Sequence, residues 1–205
     1  MLKFFELAPS PNNTKVRMAL RYKGIDFEAT PVDPRDRSAV VAASGQELTP
    51  VIEDRGFVLN DSEAILQYLD ASYRGTPRLF PADRAGRKQC DAFKRELDER
   101  LADSWAPVFF HGIGFEKELD EAARGRFEEL LHEWEERLGT EESFGSPGAA
   151  ICDLRVAEFA TYALPGDGLI ARVRLFHRFR THFGVEPGSL PRLERFLEPW
   201  NERLA

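Results

Sequence analysis

The feature that most constrains the fold is a change of hydrophobic pattern partway along the 205-residue chain. The first third alternates short apolar runs with segments of helical periodicity, whereas almost everything after residue 86 has apolar residues at helical spacing. Segment 75–86 contains prolines and glycines without any period, which is typical of a linker. The sequence therefore predicts an α/β domain over 1–74, a linker over 75–86 and an all-helical domain over 87–205.

In the α/β domain, strand and helix signals follow the order βαβα and then ββα. Predicted helices begin at capping residues, such as Ser10 before Pro11 and the run Asn60-Asp61-Ser62 before Ala64. Pro31 assigns the second strand to a sheet edge, because proline has no N–H for a neighbouring strand. The predicted segments are a strand at 2–7, a helix from 11 that stops at 24, a strand at 27–32, a helical stretch at 35–43, strands at 49–54 and 56–59, and a helix at 62–69.

The second domain is predicted to be a helical bundle, because apolar residues recur at helical spacing in five separate runs. The first run continues without interruption from Cys90 to Val108, which predicts one long helix. The other predicted helices are 119–138, 151–164, 169–183 and 190–204.

Composition excludes several kinds of protein. The net charge of −7 argues against a free-standing nucleic-acid binder, which needs a basic face. Cys90 and Cys152 form no metal-ligand pattern with histidine, so we expect no metal site and a reducing compartment, the cytoplasm. No stretch approaches the roughly 20 apolar residues of a membrane-spanning helix, so we expect no membrane partner.

Three short motifs in the α/β domain carry the functional prediction. The sequence Ser10-Pro11-Asn12-Asn13 follows the first strand, and its serine either caps the helix or presents a hydroxyl to a ligand. The Thr49-Pro50 pair precedes a strand and is compatible with a trans or a cis peptide bond. The Asp61-Ser62 pair begins a helix, where free N–H groups form either a simple cap or an anion site.

Together with the two-domain pattern, these motifs resemble the soluble glutathione S-transferases, and the serine of the first motif is similar to that of their serine-type members. That family joins a thioredoxin-like domain to a helical domain, and the resemblance extends over almost the whole chain. It implies an enzyme of detoxification that activates the thiol of glutathione and conjugates it to an electrophilic apolar small molecule without a metal. It also implies a homodimer.

By this resemblance, Ser10 is the catalytic residue and donates a hydrogen bond to the glutathione sulfur. A hydroxyl donor at a helix N-terminus favours the thiolate, which is the nucleophile. Asn12 and Asn13 are alternative amide donors to the same sulfur.

Glutathione binding is assigned by the same resemblance to Thr49, Pro50, Asp61 and Ser62. A cis bond before Pro50 would turn the Thr49 backbone towards a peptide, which could pair with it like an added strand. The N–H groups at Ser62 would hold the γ-glutamyl carboxylate, and Asp61 would face the ammonium group of the ligand.

Two further assignments are open to alternative interpretations. Family members often have Gln or Lys two residues before the proline, but Leu48 occupies that position here, so Gln46 is the nearest amide for glutathione. Trp105 and Phe109 line the electrophile pocket if the resemblance extends to the first long helix. Otherwise they pack in the helical core.

The same residues would also serve other functions. A glutathione-dependent isomerase or dehalogenase would use the same thiolate. A transferase-like module that has lost turnover would still bind glutathione and could act as an adaptor in a larger complex.

Overall fold

A computed structural model describes residues 1–145 and 147–204 of the chain. Their contacts divide into two compact units, Met1–Phe80 and a unit that begins at Pro81. The first unit contains a four-stranded mixed sheet and three helices, and the regular structure described in the second unit is helical. The predicted fold class, an α/β domain followed by helices, is confirmed. No helix in the described residues is both long enough and apolar enough to span a lipid bilayer.

The sheet of the first unit has the strand order β2-β1-β3-β4. Strand β1 pairs in parallel with β2 and antiparallel with β3, which pairs antiparallel with β4. Because β2 lies at the edge, Pro31 costs no ladder hydrogen bond on its outer side. The strands are β1 (Leu2–Glu6), β2 (Phe27–Pro31), β3 (Val51–Asp54) and β4 (Phe57–Asn60).

Three helices complete the first unit: α1 (Pro11–Tyr22), α2 (Ser38–Ser44) and α3 (Ser62–Ser72). The first part of the predicted linker is fastened to this unit. The buried ammonium of Lys23 donates to Asp70 at 3.0 Å and to the Pro77 carbonyl at 2.9 Å, and the Asp70 carboxylate accepts the Leu79 N–H at 2.8 Å. A proline- and glycine-rich composition predicts irregular backbone, but it carries no information about such side-chain anchors.

The second unit contains seven helices in its described residues. Its first helix begins inside the segment predicted as linker, because the Asp83 carboxylate accepts the Gly86 N–H at 2.8 Å and caps the helix. The helices are α4 (Arg84–Asp103), α5 (Trp105–Gly112), α6 (Glu121–Arg137), α7 (Ile151–Ala163), α8 (Asp167–Arg172), α9 (Leu175–Phe183) and α10 (Pro191–Leu204).

The prediction of a single helix through residues 90–108 is wrong, because the helix breaks at Ser104 between α4 and α5. Pro107 has no N–H to donate to the carbonyl of Asp103 four residues earlier. That carbonyl instead accepts hydrogen bonds from the Arg126 guanidinium of α6, one of them 3.1 Å long. The apolar period continues across the break, so periodicity alone could not reveal it.

The predicted helix over 169–183 is likewise two helices, α8 and α9, separated by an extended residue at Val173. Leu169, Phe176, Phe179 and Phe183 are all buried. Their spacing follows one helical face on both sides of the break, which explains why the sequence predicted one element.

Helix α7 forms the centre of the second unit, since almost all of its residues are buried. Ala150 occupies its N-cap and supplies no side-chain hydrogen bond. The Asp153 carboxylate of its first turn instead accepts the Phe144 N–H at 2.6 Å. Burial raises the pKa of Asp153 to about 6 from its ordinary value of 3.8.

This raised pKa predicts a specific pH dependence of stability. The folded state favours the protonated Asp153, so its contribution to the free energy of unfolding is full below pH 3.8 and is lost as the pH rises through about 6. Asp153→Asn keeps an acceptor for Phe144 but cannot ionise. Urea unfolding from about pH 4 to pH 7.5 should show a loss of stability for the parent relative to this variant, on the order of 2 kcal/mol. Parallel pH profiles of the two proteins would contradict the prediction.

Candidate functional site

Ser10 lies between β1 and α1, and its backbone, not its side chain, begins the helix. Its carbonyl accepts the N–H groups of Asn13 at 3.0 Å and Thr14 at 2.9 Å. Its hydroxyl makes no capping hydrogen bond, and the residue is partly exposed. Because the cap does not use the hydroxyl, this group at the positive end of α1 is free to meet a ligand.

Asn13 connects the end of β1 to the segment that precedes β3. Its amide oxygen accepts the Leu7 N–H at 3.2 Å, and its amide nitrogen donates to the Thr49 hydroxyl at 3.0 Å. The side chain is 2% exposed, so both contacts are shielded from water. Of the two asparagines predicted as alternative donors to a sulfur, Asn12 is the exposed one, and Asn13 is engaged in holding the site together.

The Thr49-Pro50 peptide bond is cis, one of the two isomers that the sequence left open. Pro50 is buried, and Thr49 is partly exposed. The β3 register begins at Val51, so the Thr49 backbone lies outside the pairings with β1 and β4. Its N–H and C=O therefore stand at the end of a strand, where an extended peptide could pair with them.

Gln46 folds back on its own loop. Its amide nitrogen donates to the Leu48 carbonyl at 2.8 Å, and its amide oxygen accepts the Leu48 N–H at 2.6 Å. The side chain that the sequence offered as a direct contact to glutathione thus orders the backbone just before Thr49.

Asp61 and Ser62 form the start of α3. The Asp61 carboxylate accepts the Ala64 N–H at 2.9 Å and caps the helix, while the residue itself remains exposed. Its φ of 74° lies in a region that residues other than glycine rarely adopt. Among those other residues, asparagine and aspartate adopt it most often. The buried Ser62 donates its hydroxyl to the Asn12 side-chain oxygen at 3.2 Å, which joins the starts of α1 and α3.

An ion pair between a buried lysine and a partly exposed glutamate also supports this junction. The Lys15 ammonium on α1 lies 2.7 Å from a carboxylate oxygen of Glu63 in the first turn of α3. Sequence reasoning missed this pair, because a lysine in an amphipathic helix normally predicts a solvent-facing position. Only the knowledge that α1 packs on α3 would have paired these residues.

The first unit thus brings most of the predicted site residues together. Asn12 joins the starts of α1 and α3, and Asn13 joins the start of α1 to the Thr49 side chain. Two helix N-termini favour anions, and an unpaired strand end favours a peptide, so the arrangement suits a small peptide with a carboxylate and a thiolate. The described residues contain no group of three or more His, Cys, Asp or Glu side chains that could hold a metal ion.

Trp105 and Phe109 lie in the second unit, in an aromatic cluster. Their rings stack with centroids 4.6 Å apart, and the edge of Tyr162 meets Trp105 at 5.1 Å. They are only 4% and 7% exposed, whereas the neighbouring Phe110 is 45% exposed. The burial of Trp105 and Phe109 agrees with the core interpretation, and Phe110 is the aromatic residue of this helix that remains exposed.

Comparison with known proteins identifies relatives of both units. The family model described as "Glutathione S-transferase, N-terminal domain" matches residues 4–77. The chain is 27% identical over 156 residues to glutathione S-transferase U19 of Arabidopsis thaliana, a match that covers 75% of this chain and 69% of the relative. It is 31% identical over 146 residues to a probable glutathione S-transferase, GSTU1, of Oryza sativa subsp. japonica, which covers 68% of this chain and 62% of that protein.

Solved structures show the same fold. Rice GST1, determined in complex with glutathione, superposes with a TM-score of 0.69 at 24% identity and covers 99% of this chain and 86% of its own. A glutathione S-transferase from Rhodospirillum rubrum superposes with the same TM-score of 0.69 at 19% identity, covering 97% of this chain and 99% of its own.

The contacts of Asn13 predict its contribution to the first unit. Asn13→Ala leaves the Leu7 N–H and the Thr49 hydroxyl without their partner, so the free energy of unfolding should fall by about 2 kcal/mol. The comparison variant Asn12→Ala removes a single acceptor, that of the Ser62 hydroxyl, and should cost about 1 kcal/mol. Urea unfolding of both variants measures the difference, and equal losses would show that Asn13 does not hold the site together.

Proposed function

Because the chain belongs to the soluble glutathione S-transferase family, we propose that it is an enzyme that conjugates glutathione to electrophilic small molecules. The observation that carries the proposal is the junction of the two helix starts and the Thr49 strand end within the segment that matches the family's N-terminal domain. The relatives named above are glutathione S-transferases, and this activity is the one that the chemistry of the junction fits best.

Glutathione binds by its backbone and by its charged end. The cysteinyl part pairs with the N–H and C=O of Thr49, presented beside Pro50, and Gln46 orders the preceding loop through Leu48. The γ-glutamyl carboxylate meets the N–H groups at Ser62, and Asp61 faces the ammonium group. The ion pair between the buried Lys15 and Glu63 and the Asn13 bridge hold these groups in position before the ligand arrives.

Ser10 stabilises the thiolate of the bound glutathione. A free thiol has a pKa of about 8.5, so most of it is protonated at neutral pH. A hydroxyl that donates to the sulfur, at the positive end of α1, favours the anion and lowers that pKa. The thiolate then attacks an electrophilic carbon, a carbon–sulfur bond forms, and the displaced group or the added-to double bond takes the electron pair.

The apolar co-substrate contacts the helical unit. The half-exposed Phe110 offers the apolar surface for it, and the buried Trp105 and Phe109 form the wall of aromatic rings behind that surface. The enzyme functions as a homodimer in the cytoplasm. The free thiols of Cys90 and Cys152 suit a reducing compartment, and the exposed Phe57 of edge strand β4 offers apolar surface for an interface.

The role of Ser10 predicts a kinetic effect without loss of binding. Ser10→Ala should lower kcat/KM with an aryl halide about 100-fold, since one donor to the reacting anion is lost. Glutathione affinity should change less than about threefold, and Ser10→Thr, which keeps a hydroxyl, should restore part of the rate. Steady-state kinetics and calorimetry measure the two effects.

Asn12→Ala is the comparison variant for this experiment, because Asn12 is the alternative donor to the glutathione sulfur. Full activity in Ser10→Ala together with a large loss in Asn12→Ala would assign the sulfur contact to Asn12. Retention on immobilised glutathione without turnover of aryl halides, activated alkenes or isomerisable substrates would instead favour a binding module. If the enzyme turned over only substrates for isomerisation or dehalogenation, the thiolate assignment would stand, but the proposed conjugation reaction would be wrong.

Asp61 offers a test that separates helix capping from ligand binding. Asp61→Asn retains a good N-cap for α3 but removes the negative charge, so stability should hardly change. The KM for glutathione should rise about tenfold, because the ammonium group loses its partner. A glutathione analogue without that amino group should bind the parent and the variant equally. An equal loss with both ligands would contradict the assignment.

A further inference from the structure

The second unit contains a pair of thiols that the proposed reaction does not use. Cys90 on α4 and Cys152 in the first turn of α7 are 62 residues apart in sequence, and their Sγ atoms lie 3.1 Å apart. Both are free cysteines, 8% and 3% exposed. A disulfide needs its sulfurs about 2.05 Å apart, so the two atoms have only about 1 Å to close.

The surrounding residues hold Cys152 against Cys90. A Cβ atom added at Gly145 would lie 3.0 Å from the Cβ of Cys152 and 3.1 Å from its Sγ, so the loop packs closely on Cys152. The Phe144 N–H is bound to the Asp153 carboxylate, which fixes this loop over the first turn of α7. The close packing of this loop therefore holds Cys152 in place beside Cys90.

A cavity of about 370 Å³ adjoins the pair, and both cysteines are among its lining residues. It gives a small hydroperoxide space beside the pair. Its lining includes Gln89, Cys90, Phe93, Arg137, Gly145 and Cys152. The Arg137 guanidinium lies over the rings of Phe93 and Phe144 and keeps a positive charge at this wall of the cavity.

We propose that Cys90 and Cys152 form a redox modification site, at which a hydroperoxide closes an internal disulfide between α4 and α7. Cys90, the more exposed residue of the pair, attacks the hydroperoxide through its sulfur and becomes a sulfenic acid. An organic hydroperoxide then leaves as an alcohol, and hydrogen peroxide leaves as water. The Cys152 sulfur then displaces the hydroxyl, which leaves as water with the thiol proton. Two thiols lose two electrons and two hydrogens in total, and one peroxide bond is reduced.

The chemistry of the pair favours a disulfide over other fates. Burial raises the pKa of the Cys152 thiol. At neutral pH this sulfur therefore remains protonated and is a poor nucleophile towards the peroxide. It stands in contact with the sulfur that is oxidised first, which favours ring closure over further oxidation of the sulfenic acid. The described residues offer no third ligand that would make the pair a metal site.

The test is oxidation of the folded, full-length protein with hydrogen peroxide. After quenching, the chain is unfolded, alkylated and weighed by mass spectrometry, then digested without reductant. We expect both alkylation sites to disappear, the mass to fall by two hydrogens and a cross-linked pair of peptides from α4 and α7 to appear. A disulfide closing this long loop should also raise Tm by roughly 5–15 °C, reversibly with dithiothreitol.

The single variants separate an internal disulfide from general thiol oxidation. Cys90→Ser and Cys152→Ser, each with one thiol, should gain oxygen or form mixed disulfides under the same conditions and show no reversible rise in Tm. Two alkylatable thiols in the oxidised parent, or sulfinic acid without the cross-link, would overturn the proposal. So would a cross-link that forms only after the parent is unfolded in guanidinium.

Discussion

The candidate site depends on one buried side chain, that of Asn13. Its amide holds the end of β1 through the Leu7 N–H and the segment before β3 through the Thr49 hydroxyl. A buried amide without hydrogen-bond partners would lower the free energy of unfolding by about 1–3 kcal/mol. The folded state is therefore most stable when both chain segments stay within hydrogen-bond distance of Asn13. The ion pair between the buried Lys15 and the partly exposed Glu63 connects α1 to α3 in a similar way.

These anchors explain how a common fold presents a specific ligand site. The N-termini of α1 and α3 are partial positive charges with free N–H groups, and a strand end outside the sheet register lies beside them. Each feature alone occurs in many proteins. In the proposed function, their junction gives the peptide backbone, the carboxylate and the thiolate of glutathione separate partners within one small unit.

The sequence predicted the order of elements because hydrophobic periodicity is a local property. It predicted β1, α1 and the β3–β4 hairpin, and it placed Pro31 at an edge correctly. It missed the break at Ser104, since Pro107 lies inside an uninterrupted apolar period. It could not reveal the Asn13 bridge to Thr49 or the commitment of Gln46 to its own loop, because both follow from loop geometry rather than from spacing along the chain.

The central claim is that glutathione binds to the first unit and loses its thiol proton there. Calorimetric titration of glutathione in two buffers of different ionisation enthalpy counts the protons released on binding at neutral pH. We predict release approaching one proton with glutathione and none with S-methylglutathione, which binds through the same groups but has no thiol proton. Equal proton release with the two ligands, or no binding of glutathione to the folded protein, would contradict the claim.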